Sequence, residues 1–70
     1  MSAADFNVLD QLIPIRTVCQ RIGVSQSKVY AMVAAGEFPK PTHIGSSARW
    51  SERELQFWLN SKLAEREVAS

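Results

Sequence analysis

The 70-residue chain has little cysteine and little histidine: Cys19 and His43 stand alone. One thiol forms no internal disulfide, and one Cys with one His falls short of a closed zinc site. A reducing compartment such as the cytoplasm suits this composition. Long apolar runs are missing as well. No stretch approaches the roughly 20 residues of a membrane-spanning helix, and no leader pattern is seen, so no membrane partner is expected. Paired carboxylates, a nucleophile beside a base, a metal cluster and a phosphate-cradling loop are all lacking. An enzyme is therefore not expected, and no cofactor is. Disorder is also disfavoured, because 46% of the residues are hydrophobic. A chain this short holds one domain with a marginal core, of the kind that often gains stability from a partner or a second copy.

Net charge is only +1, and its distribution says more than its sum. Residues 1–15 carry acids alone, Asp5 and Asp10. Residues 16–53 hold Arg16, Arg21, Lys28, Lys40, Arg49 and Arg53 against Glu37 and Glu52. Acids prevail again after residue 53. Positive charge thus gathers mid-chain, as either a modest footprint for a polyanion or an ordinary solvated surface.

The central stretch is Gly23 to Gly36. Gly23 suits a tight turn between two helices. Ser25 is a good N-cap, and Gly36 sits where a helix stops in the left-handed conformation. Val29, Met32 and Val33 make a narrow apolar stripe. The other side offers Gln26, Ser27, Lys28 and Tyr30, then only Ala31, Ala34 and Ala35. A face of small residues lets a helix lie close to another surface, and a polar first turn can reach into it. The DNA major groove admits such a helix.

Upstream, residues 1–11 read as a flexible segment or a short turn of helix, with Phe6, Leu9 and Leu12 at helical spacing. A first helix is expected from Pro14 or Ile15 to Ile22, because proline is tolerated where a helix begins. Ile15, Val18, Cys19 and Ile22 share its buried face, which makes Cys19 a small core hydrophobe rather than a reactive thiol. Val24 in the turn plugs the angle between the helices. Downstream, Phe38-Pro-Lys-Pro41 is extended, with Phe38 as a core anchor. Thr42–Ile44 and Ala48–Trp50 flank Gly45-Ser-Ser47 and read as a β-hairpin. Its tip, with Ser46, Ser47 and Arg49 just beyond, suits a phosphate backbone or a minor groove, or is an ordinary surface turn. His43 receives no special role. Ser51-Glu-Arg-Glu54 is a capping box for a third helix, whose Leu55, Trp58, Leu59 and Leu63 are expected to bury against the first two. Trp50 and Trp58 should supply much of the core area. Phe57 lies off the stripe and asks for a cover, first the segment around Phe6 and Leu9, otherwise a second protein or a second copy of the chain. Residues 65–70 are expected to fray.

The fold expected is mainly α: a small winged helix-turn-helix over residues 12–64, three helices with a short β-hairpin wing between helices 2 and 3. The second helix enters the groove N-terminus first. Gln26 pairs with adenine, and Lys28 reaches guanine or a phosphate. Ser27 and Tyr30 bond phosphates and set register, Ser25 belongs to the same DNA-binding set, and Lys40, Arg49, Ser46 and Ser47 meet the backbone. The rival is a protein-interaction module built on Phe57, with the helix-turn-helix as scaffold.

The residues Gly23-Val24-Ser25, Tyr30, Gly36, Phe38-Pro39-Lys40-Pro41, Gly45, Trp50 and Trp58-Leu59 together resemble the AlpA-like family of small prophage and genomic-island regulators. The stretch is also similar to phage excisionases and to the DNA-binding half of MerR-type regulators. The resemblance covers roughly Leu12 to Leu63. It implies a winged helix-turn-helix that binds double-stranded DNA in the bacterial cytoplasm, at the nucleoid. It implies transcription regulation of an integrase or a role as excisionase in DNA recombination, with an integrase or further copies of the chain as partners. Gln26 and Lys28 depart from the family's usual residues, a basic one and Thr, so a base preference cannot be carried over.

Overall fold

The computed structural model describes residues 10–69. Their elements are strand β1 (Leu12–Ile13), helix α1 (Ile15–Ile22), helix α2 (Gln26–Ala34), strands β2 (Thr42–Ile44) and β3 (Ser47–Ser51), and helix α3 (Glu52–Ala69). This is the expected mainly α arrangement, with the hairpin standing between α2 and α3.

Pro14 is the N-cap of α1, its carbonyl accepting from Val18 N–H at 3.1 Å. The helix ends at Gly23, whose N–H donates to Cys19 O at 2.7 Å. Two residues later Ser25 caps α2, its Oγ accepting from Lys28 N–H at 3.2 Å. At the other end Glu37 N–H reaches Met32 O (2.8 Å) and Gly36 N–H reaches Val33 O (3.0 Å). That pair of bonds is a Schellman motif, and Gly36 supplies the φ of 75° that it needs. The hairpin turns on Gly45-Ser46, with Ile44 paired to Ser47. Only Gly45 of these two has positive φ, 61°, the II′ pattern whose twist suits a two-residue hairpin.

The sheet has a third strand. β1 pairs antiparallel with β3, Leu12 opposite Ser51 and Ile13 opposite Trp50, giving the order β1-β3-β2. Leu12 thus belongs to a strand and not to a helical run, because the backbone groups of β3 offer it a partner. Phe6 and Leu9 lie outside the described residues.

The core consists of Ile13, Val18, Val29, Phe38, Trp50 and Leu55, with Ile15, Cys19, Ile22, Val24, Met32, Val33, Ala48 and Trp58 packed around it. Two indoles lock the segment between α2 and β2. Trp50 Nε1–H donates to Pro39 O at 2.9 Å, and Trp58 Nε1–H donates to Glu37 O at 2.8 Å. Phe38 enters between these bonds and meets the Trp58 ring edge-on at 4.7 Å.

Helix α3 rests on β3 and is tied to α1 by Arg21. That guanidinium bonds Glu52 Oε2 and Gln56 Oε1, each at 2.9 Å. Leu55 is fully buried, but Leu63, expected inside, is 45% exposed. The body ends near Leu59, and residues 60–66 are exposed on every side. The helix continues to Ala69, through residues where fraying is expected.

Its start is also built differently from a closed capping box. Ser51 Oγ accepts from Glu54 N–H at 3.2 Å, as expected. The acid that completes the cap is Asp10, 41 residues upstream. Asp10 Oδ2 accepts from the Ser51 hydroxyl at 2.7 Å, and Oδ1 accepts from Arg53 N–H at 3.1 Å. Glu52 N–H donates to Gln11 O at 2.7 Å. Three orphan donors of the first turn are met in this way. The Ser51 hydroxyl first, then the Arg53 amide, hold the Asp10 carboxyl below its ordinary value.

Candidate nucleic-acid interface

Each feature that orients α2 is local. Val29 is fully buried and fixes the inner face. The Ser25 cap fixes the first turn, and the Schellman motif fixes the last. What remains outside is the expected set: Ser25, Gln26, Ser27 and Lys28 are exposed, followed by Ala31, Ala34 and Ala35. The amides of Gln26 and Ser27 have no acceptor among the described residues. They add a partial positive charge to the first turn, the usual feature of an anion-binding helix start.

Tyr30 is 44% exposed. Its ring also meets Trp50 edge-on, with centroids 5.9 Å apart at 60°. It therefore joins the outer face of α2 to the hairpin.

The hairpin places its residues on two faces. Ala48 and Trp50 turn inward to the core, and Ser47 and Arg49 lie on the opposite face with Thr42 and Ile44. Ser46 and Ser47 are exposed at the tip. Arg49 is half-buried, with Nη1 bonded to Ala48 O at 3.0 Å. The sheet thus does not bring Ser47 and Arg49 onto the side where Tyr30 stands. Lys40 is exposed and follows directly on the carbonyl held by Trp50.

Arg16, Lys28 and Lys40 are exposed and form no ion pair among the described residues. Arg21, counted in the mid-chain positive cluster, is spent on Glu52 and Gln56. No group of His, Cys, Asp and Glu among the described residues could hold a metal ion. Their helices include none long and apolar enough to cross a membrane.

Phe57 is 75% exposed. It borders an open groove of about 980 Å³ between α3 and the Gly36–Lys40 segment, with Phe38, Pro39 and Trp58 in its lining and Asp10 at its edge. The contribution of Asp10 was not legible in the sequence, where nothing connects position 10 with position 51.

A capped second helix with an outward first turn, two residues after a glycine-ended first helix and followed by a hairpin, defines a winged helix-turn-helix domain. A family model described as prophage CP4-57 regulatory protein (AlpA) matches residues 11–63. The chain belongs to this AlpA family of prophage regulatory proteins. No curated protein matches it, and no solved structure does.

Proposed function

We propose that this protein is a sequence-specific double-stranded DNA-binding regulator of a prophage or mobile element, with a binding and not a catalytic role. The observation that carries the proposal is the exposed, capped first turn of α2, with Gln26 and Lys28 outward above a face of alanines. Gln26 offers the bidentate amide that suits adenine, and Lys28 reaches guanine or a phosphate. Ser27 and Tyr30 bond phosphates and set register, and Ser25, whose hydroxyl caps the helix, brings this turn against the backbone. Lys40 and Ser46 at the tip follow the backbone, whereas Ser47 and Arg49 stand on the opposite face of the hairpin.

Such a module buries only about 600–1,000 Å² on DNA, so one copy alone binds weakly. Function then rests on repeated sites, on bending, or on neighbouring copies along the duplex. The finer role is that of an excisionase, a transcriptional regulator of integrase expression, or both, in the bacterial cytoplasm at the nucleoid. An integrase is the natural protein partner.

Footprinting across the ends of the host element and the promoter of its integrase tests this. Tandem protected sites near an attachment end, with bending, support excision. A single protected site upstream of the promoter supports transcriptional control. Protection at neither contradicts the proposal.

One observation favours a second reading. Phe57 is open to solvent beside the groove, which suits a protein-interaction module. Loss of a protein partner by Phe57→Ser, with DNA binding absent from the wild type, would select it.

A further inference from the structure

Strand pairing puts His43 opposite Ala48. Its side chain therefore belongs to the sheet face of Ala48 and, two residues further on, of Trp50. This is the core-facing side: Trp50 is fully buried and Ala48 packs against the core. His43 is nevertheless exposed. β2 is the edge strand, and the core ends beneath β3. On the same face the Trp50 ring meets Tyr30 of α2. His43, Ala48, Trp50 and Tyr30 thus connect the wing's edge to the reading helix, while Ser47 and Arg49 point to the far side.

We infer that His43 is the wing's contact to a DNA phosphate on the side of α2, and that its protonation makes DNA affinity depend on pH. This rests on the DNA-binding reading proposed above. The surrounding charges favour a phosphate as the partner of a protonated imidazole. The titratable side chains of α2 are Lys28 and Tyr30, and that of β3 is Arg49. The segment 35–41 adds Lys40 and one carboxylate, Glu37, which lines the groove on the α3 side. No carboxylate of α2, β2 or β3 competes for the ring. Histidine is the side chain whose charge changes across physiological pH, and its charged form donates from both nitrogens. A proton taken up on binding makes affinity rise as pH falls.

The test uses the full chain and a fluorescein-labelled duplex that the protein itself selects from a random-sequence library. Anisotropy titrations are run across salt at about pH 8 and about pH 6. The wild type should bind about two- to fivefold tighter at the lower pH. Its log–log salt slope should steepen by about 0.9, the share of one phosphate. His43→Gln should remove both changes, and His43→Lys should bind tightly at both pH values. A wild type indifferent to pH, or a His43→Gln variant that keeps the full response, overturns the inference. In either case the DNA reading stands if Gln26→Ala and Lys28→Ala still weaken binding. If those two substitutions change nothing, both fall together.

Discussion

Ser25 allows the stability of α2 to be separated from its contact with DNA. Its hydroxyl accepts from Lys28 N–H at 3.2 Å. The helix it caps has nine residues, too few to persist alone in water. Ser25→Ala removes the acceptor and should cost about 1 kcal/mol. For a domain of this size that lowers Tm by about 4–8 °C. Total stability of such small cores is about 3–5 kcal/mol, so the variant stays folded at room temperature. Ser25→Asp keeps a capping oxygen and adds a charge that suits the helix start, so its Tm should equal or exceed that of the wild type. On DNA the same carboxylate meets phosphates. At a separation of about 5 Å in water the repulsion is about 0.8 kcal/mol, or about fourfold in affinity for each phosphate. Thermal melts by circular dichroism and anisotropy titrations measure the two effects. The expected pattern is a less stable Ser25→Ala that binds nearly normally and a stable Ser25→Asp that binds poorly. Wild-type affinity in Ser25→Asp would refute the placement of this turn against the backbone.

Trp58→Phe keeps a ring beside Phe38 but loses the bond to Glu37 O. It should cost about 1 kcal/mol in urea unfolding, and more if the smaller ring packs loosely. Leu55→Ala opens the core under α3, where the side chain is fully buried. A loss of about 2–5 kcal/mol is expected, comparable to the whole stability of about 3–5 kcal/mol, so the unfolding midpoint in urea should fall sharply. Asp10 gives stability a defined acid limb. Its carboxyl is held below the ordinary value in the folded chain, so its contribution is complete above the unfolded pKa of about 3.9. It is lost as pH falls through the lower folded value. Acid titration of Asp10→Asn should lack this limb while retaining the rest of the curve.

The helices were legible because their signals are local. Ser25, Gly36 and the apolar spacing of Val29, Met32 and Val33 act within α2 itself, and the structure uses each as expected. The hairpin was legible from Gly45-Ser46 between two short β-prone runs. The misses share one cause, dependence on a distant partner. β1 is two residues long and too short for any periodicity; it exists because β3 accepts it. The cap at Ser51 is completed by Asp10 and not by the nearby Glu54, and no spacing rule joins positions 10 and 51. Leu63 fits the apolar stripe of α3, but a stripe does not tell where the body beneath it ends. Within the candidate site, residue types pointed to Ser47 and Arg49, whereas strand register decides which face each occupies.

The measurement closest to the central claim compares three chains on one selected duplex: the wild type, Gln26→Ala/Lys28→Ala, and Phe57→Ser. The wild type should show a log–log salt slope near −3.6 for about four phosphates. The double variant should lose base preference and show a slope nearer −2.7, for about one phosphate fewer. Phe57→Ser should bind as the wild type does. An unchanged affinity and site preference in the double variant, or loss of binding with Phe57→Ser alone, would contradict the assignment of α2 as the reading helix.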